Sequence, residues 1–543
     1  MSTLFTGGSV FDGHRHRAGY SLLVEDGKVV AVLSPPSLER LDRAGHDVVD
    51  LAGGLVSPGF SDAHCHPIQG GLERMQCDLT DGSTREEYVA MVRDYAEGYD
   101  GPWVTGGGWA MAAFPGGNPS AADLDVVVAD RPVLLHNRDH HGAWANSRAL
   151  ELAGLTATTP DPADGRIERL PDGRPQGSLH EGAVDIVAAL LPELTADEYA
   201  AGLVEGQRYL FSLGVTAWQD AIVGAYAGMA DTGSTYLDAI TSGDLVADVV
   251  GALWWDRELG LEQVAGLVER RRTQSGGRYR ATSVKIMQDG VCENFTAAML
   301  TPYLDPHGQT TDNAGHSFVD AEELKRAVVA LSAEGFQVHV HAIGDRGTRE
   351  ALDAFAAARD AGHDADLRHH IAHIQVIHPD DVARFAELGV SANAQALWAC
   401  HEAQMDELTI PFLGEERSTW QYPFGGLHRA GARLVMGSDW PVSSPDPVAA
   451  IHTAVNRATY DDPREAFLPE QAIDLTTAFA AYTAGSAWIN GRDRIDGAGV
   501  LAPGNTADLA VLDRDPFAGA AEEIGAARVV STWVSGERVH QSP

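Results

Sequence analysis

The chain has 543 residues, 44% hydrophobic and 21% charged, a globular composition too long for one ordinary domain. Its formal net charge of −38 tells against nucleic acid and anionic membrane as partners, because phosphates need Lys and Arg to displace their counterions. The four cysteines (Cys65, Cys77, Cys292, Cys400) are too sparse for a disulfide framework, and no apolar run approaches the roughly 20 residues of a membrane span.

The start, MSTLFTGGSVFDG, lacks the basic and apolar regions of a signal peptide, so a cytoplasmic protein is expected. Residues 1–57 read as short strands. SLLVEDGKVVAVL is two apolar runs joined by an Asp26-Gly27 hairpin signal. Short apolar runs then recur as buried strands at 55–63, 213–220, 246–254, 281–289, 335–342, 367–374, 388–395 and 432–439. Helical patterns such as 320–334 and 379–387 lie between them. Eight strands alternating with helices predict an α/β fold, a (β/α)8 TIM-like barrel over 58–489. An open doubly wound sheet competes with it, but no GxGxxG turn favours that alternative. Residues 68–200 form an insertion after the first strand, a long loop region rich in Gly, Pro, Trp and His. The strand-like runs of 490–543 complete, with 1–57, a small β-sandwich domain built from both termini.

Barrel chemistry sits at the C-terminal ends of the strands. The first strand ends in GFSDAHCHP. Residues two apart share a face of a strand, so His64 and His66 can both point at one metal ion with Cys65 turned away. The fifth strand ends with His339 and His341, the sixth carries His369, His370 and His373, and the eighth ends at Asp439. Imidazoles and a carboxylate on separate strand ends suit Zn²⁺ or a similar ion. Lys285 lies inside the apolar fourth strand, in a chain with only three lysines among 39 Lys and Arg. Arginine keeps its proton, whereas a buried lysine can lose it and react with CO₂ to form a carbamate able to bridge two metals. Ion pairing with Asp289 is the plainer reading of this lysine.

Together these residues resemble the amidohydrolase superfamily across the barrel and the split β domain. GGGWA, HGAWANS, GVTAWQDA, VKIMQDG, HAIGDRG, the His373 segment and GSDWPVSSPDP are similar to the branch of N-substituted formamide deformylases and YtcJ-like hydrolases. The resemblance implies His64, His66, Lys285, His341, His373 and Asp439 as ligands of one or two zinc ions, with Lys285 carboxylated. It implies amide C–N hydrolysis by metal-activated water, with Asp439 as proton shuttle. Two departures bear on the substrate: Ala372 replaces an acidic residue, and His140 stands where glycine is common. His141 and Trp109 are candidates to support the oxyanion. Phe114, Trp144, Trp398 and Trp440 are candidates to line the substrate pocket. Asp220 and Asp289 are read as groups orienting the ligands. Cys65 and Cys292 read as small buried apolar residues.

The expected partner is a small-molecule amide, most specifically an N-substituted formamide, with neither nucleic acid nor membrane. A homodimer is compatible with the size of the chain. Another linear or cyclic amide, or an ester, is the alternative substrate, because loops choose it. A binding or sensor protein on a degenerate barrel is the non-enzymatic alternative. Such a site would be expected to have lost a ligand or its proton shuttle, and Asp439 is present.

Overall fold

The computed structural model describes residues 2–226, 228–363 and 365–543. Eight parallel strands form one sheet: β1 (Phe60–Cys65), β2 (Val215–Val223), β3 (Asp248–Trp254), β4 (Tyr279–Met287), β5 (Gln337–Ala342), β6 (His370–His373), β7 (Ser391–Ala394) and β8 (Leu434–Met436). They pair in chain order, giving a nearly closed barrel ringed by helices. In β5 every residue is buried. Val338, Val340 and Ala342 join the main apolar core, while the alternate His339 and His341 are buried polar residues. This two-residue alternation, with both faces covered, is what makes parallel strands so apolar. The helix Ala321–Ala333 begins where Asp320 caps it and buries Leu324, Ala327, Val328 and Leu331.

The seam between β8 and β1 carries no ladder pairing and is closed by other contacts. Asp62 accepts the backbone N–H groups of His64 (2.9 Å) and Ser438 (3.0 Å). Asp439 N donates to His64 O, and His66 N to Trp440 O, both at 2.7 Å. Asn393 Nδ2 reaches across from β7 to Ala63 O at 2.9 Å. Gly437 makes this closeness possible, since a Cβ there would lie 2.5 Å from His64 N and 2.9 Å from Asp62 Oδ1.

The apolar run at 55–63 is two strands rather than one. Leu55–Pro58 belongs to a terminal sheet, and β1 begins after Gly59. That six-stranded sheet also takes Ser9–Phe11 and His16–Arg17 from the N-terminal end and Leu509–Leu512, Val529–Val534 and Glu537–Gln541 from the C-terminal end. A four-stranded sheet, which contains the Asp26-Gly27 hairpin, packs on it through Phe5, Leu22, Val24, Val56 and Leu509.

The insertion is not a long loop. It contains a six-stranded sheet ordered Gly165–Arg169, Pro175–Glu181, Gly142–Ala145, Val133–Asn137, Val104–Trp109, Cys77–Asp78. Adjacent residues feed opposite faces: Leu135 and Trp144 enter one apolar cluster, Leu134 and Ala143 another. The Gly- and Trp-rich composition serves these two cores.

Gly437→Ala is expected to lower the unfolding free energy by about 3 kcal/mol, since an added methyl meets backbone on the opposite strand. Urea titration of both proteins checks this, and a change under about 1 kcal/mol would mean the seam can relax.

Candidate metal centre

His64 is the last residue but one of β1 and His66 caps the helix Pro67–Met75 that follows, so both imidazoles stand at one end of the barrel. Asp439, just past β8, takes the left-handed conformation (φ 59°) and brings Oδ1 within 3.0 Å of Nε2 of both histidines. One ligand atom from each of His64, His66 and Asp439 can be chosen so that all three lie within 4.8 Å of one another. The intervening Cys65 points into the outer core with Sγ against Gln219 O.

His64 is oriented from below. His339 Nε2 lies 2.9 Å from His64 Nδ1, and His339 Nδ1 lies 2.7 Å from Gln219 Oε1. That chain leaves His64 Nε2 facing the centre, the arrangement by which an imidazole is presented to a metal. Lys285 is 3% exposed, with Nζ 3.4 Å from His64 Nε2. His373, also left-handed (φ 79°), has Nδ1 3.8 Å from Asp439 Oδ2, and this buried atom has no hydrogen-bond partner. The His341 ring lies 4.4 Å from that of His373. His64, His66, Lys285, His341, His373 and Asp439 therefore share one buried cluster.

The other strand-end histidines do different work. The His370 ring packs against that of His339, its register partner on β5, at 4.0 Å. His369 faces outward, where it accepts Val338 N and packs on Phe355. Asp220 accepts the Tyr236 hydroxyl at 2.6 Å and lines a small cavity with His66. Asp289 accepts backbone N–H groups from Ala298, Ile343 and Gly344 and stands 3.6 Å from His341 Nε2. It fixes the loop after β5 rather than pairing with Lys285. Cys292 is buried in an apolar cluster with Val291 and Tyr303.

Burial sets the charges. It lowers the Lys285 ammonium from its ordinary range to about 7, against the opposing pull of Asp439. Burial, then the proximity of Lys285, pushes His64 down to about 3, and burial holds His341 and His373 well below the usual imidazole range. Burial opposes the charge on Asp439, but His64 and the hydrogen bonds from His64 and His66 outweigh it and hold the carboxyl well below the usual range. Neutral imidazoles beside an ionised carboxylate are the protonation states a metal requires.

A cavity of about 460 Å³ opens beside the cluster. Trp398, stacked on His373 at 5.4 Å, and Trp440, next to Asp439, line it together with Leu397, Tyr422, Glu293 and Asp139. Trp109 and Trp144 do not. Their indole N–H groups are given to Leu135 O and Ser120 O, each at 2.8 Å, and both rings pack with Phe114 inside the insertion core. Trp109 has no N–H left for an oxyanion. His141 reaches the site, with its ring 5.7 Å from that of His341. Its Nδ1 meets Glu181 at 2.9 Å. Burial opposes its charge, but Glu181 and then Asp139 outweigh it and raise His141 to about 9. His140, left-handed at φ 62°, instead engages Gln69 at 2.9 Å and Glu73 at 3.5 Å. Glu181 escaped the sequence reading because it lies in the insertion, outside the barrel periodicity. Among the described residues no helix is long and apolar enough to cross a membrane.

The amidohydrolase family model matches residues 47–540. The protein LONG AFTER FAR-RED 3 of Arabidopsis thaliana is 32% identical over 96% of this chain and 88% of its own length. The putative amidohydrolase YtcJ of Bacillus subtilis is 26% identical over the full length of both chains. The N-substituted formamide deformylase of Arthrobacter pascens is 26% identical over 96% of this chain and 95% of its own. The crystal structure of an uncharacterized metal-dependent hydrolase from Pyrococcus furiosus superposes with a TM-score of 0.70 at 27% identity, covering 95% of this chain and 100% of that one. With the family match spanning most of the sequence and the barrel in place, the chain belongs to the amidohydrolase family.

Proposed function

We propose that the protein is a metal-dependent hydrolase of an amide C–N bond, most specifically one that cleaves an N-substituted formamide to formate and an amine. The observation that carries this reading is the convergence of His64, His66 and Asp439 at the ends of β1 and β8. The cluster fits divalent ions: His373 Nδ1 is a buried polar atom without a partner, and the donor set of imidazoles and carboxylate suits zinc. His64, His66 and Asp439 would hold one ion and His341 and His373 a second, with carboxylated Lys285 shared between them. An ion held there lowers the pKa of water and polarises a carbonyl oxygen.

Asp439 enters the reaction as a carboxylate, able to take the proton of the attacking water. It then returns that proton to the leaving nitrogen, which must be protonated before the C–N bond breaks. His141, charged at neutral pH, is placed to donate to the carbonyl oxygen as negative charge develops there. Trp398, Trp440, Leu397 and Tyr422 offer apolar walls to the substituent on nitrogen, and the cavity is far larger than a formyl group needs. The deformylase relative supports the choice of a formamide. In this reading the substrate is a small molecule met in the cytoplasm.

For Lys285, a neutral amine forms a N–C bond with CO₂ and releases a proton to solvent. The amine loses its proton near pH 7, so metal uptake is expected to rise with bicarbonate and with pH between about 6 and 8. Elemental analysis of protein loaded at each pH should approach two zinc ions per chain at the upper end, and Lys285→Arg should hold about one. Equal metal content in the two proteins would remove the bridging role.

The functional test is hydrolysis of a panel of N-formyl amines by zinc-loaded protein, followed as amine release. Asp439→Asn is expected to lower kcat by about 10³-fold, the middle of the range for acid–base catalysis. Activity retained within tenfold would sink the shuttle, and a panel without turnover would sink the formamide.

A further inference from the structure

Glu181 ends the insertion strand Pro175–Glu181, and its carboxylate lies 3.1 and 2.9 Å from His141 Nδ1 through Oε1 and Oε2. An ionised carboxylate only accepts, so Nδ1 carries the hydrogen. The main chain of His141 is clamped as well: Glu181 N and Asn294 Nδ2 both donate to His141 O at 3.0 Å. Glu181 is held in turn by the barrel. Thr296 Oγ1 donates to Glu181 Oε1 at 2.7 Å and accepts from Val291 N at 3.0 Å, in the loop after β4.

The backbone at Glu181 is strained, with φ 49° and ψ −131°, a conformation that non-glycine residues rarely adopt. The strain falls at the residue whose side chain joins the insertion to the barrel loop. On the other side of the ring, His141 Nε2 makes no hydrogen bond among the described residues, and the ring stands beside that of His341.

We propose that Glu181 is a positioning residue: its carboxylate pairs with the His141 imidazolium through Nδ1–H and so fixes the ring with its second N–H, on Nε2, toward the substrate carbonyl oxygen. The proposal rests on the hydrolase reading above and deepens it. The insertion sheet supplies the donor for the oxyanion, and Glu181 and Thr296 lock that donor against the barrel. Glu181 acts through His141 and touches no reacting atom.

The test uses methylphosphonate as a tetrahedral oxyanion probe on the zinc-loaded full-length protein, with affinity read by calorimetry and zinc per chain measured on every sample. Glu181→Gln preserves the shape but removes the charge, and is expected to weaken binding about tenfold. Glu181→Ala and His141→Gln are expected to weaken it more, up to about 100-fold. The double variant Glu181→Ala with His141→Gln should bind no more weakly than His141→Gln alone, because one contact is lost either way. Additive losses, or Glu181 variants that bind as the wild type does, overturn the assignment. If Glu181→Ala fails to fold, Glu181→Gln and Thr296→Val read the same contact. Wild-type protein that holds zinc but binds no methylphosphonate overturns the hydrolase reading and this proposal with it. Wild-type binding with unchanged Glu181 variants overturns this proposal alone.

Discussion

The seam between β8 and β1 is the constraint on which the site depends. A barrel sheet that stops one pairing short of closure would leave His64 and Asp439 on two free edges. Here Asp62 takes N–H groups from both sides, Asp439 and His64 share a backbone hydrogen bond, and Gly437 omits the side chain that would hold the edges apart. The distance between the first-strand histidines and the eighth-strand carboxylate is thus set by main chain, which is stiffer than side-chain contact. Two left-handed residues, His373 and Asp439, turn their side chains inward just where the strands end. Such conformations persist only where the surroundings enforce them.

Burial turns that geometry into chemistry. A lysine, several imidazoles and a carboxylate packed together out of water cannot all be charged. Desolvation lowers His64, His341 and His373 and weakens the hold of Lys285 on its proton, while the adjacent His64 and His66 rings keep the Asp439 carboxyl well below its usual range. The layer beneath is built on the same terms. His339 joins His64 to Gln219, and His370 packs beside His339 on the neighbouring strand, so the ring that faces the centre is fixed by rings that do not.

Much of this was legible because barrel strands write their inward residues at a spacing of two. HCH and HVH place His64, His66, His339 and His341 in that register, GSD after β8 brings Asp439 to them, and an amine in the middle of VKIM stands out in a lysine-poor chain. The eight-stranded α/β barrel and its family followed from those segments. The insertion was harder. Its glycines and tryptophans look like a pocket loop, yet alternate residues of the same strands fill two cores, and Trp109 and Trp144 have their N–H groups occupied by carbonyls. Glu181 has no periodic signature, since it meets His141, just before the neighbouring insertion strand, and Thr296, in the barrel loop after β4. The division of the run at 55–63 was hidden because apolar residues stand on both sides of it (Leu55 and Val56, then Phe60 and Ala63), and hydrophobicity does not say which sheet a strand joins.

The pairing of Leu55–Pro58 with Leu509–Leu512 has a consequence for how the protein is made. The residues leading into β1 complete their own sheet only when a strand near the far end of the chain has been synthesised. The histidine pair and its carboxylate are themselves 373 residues apart between His66 and Asp439. A ribosome-bound chain with the first strands exposed therefore carries two imidazoles without the anion that completes their site. Closing so long a loop costs entropy that is recovered only when the seam forms. Assembly of the His64, His66 and Asp439 cluster is accordingly a late event in the life of each chain, tied to closure of the barrel and not to the appearance of its first members.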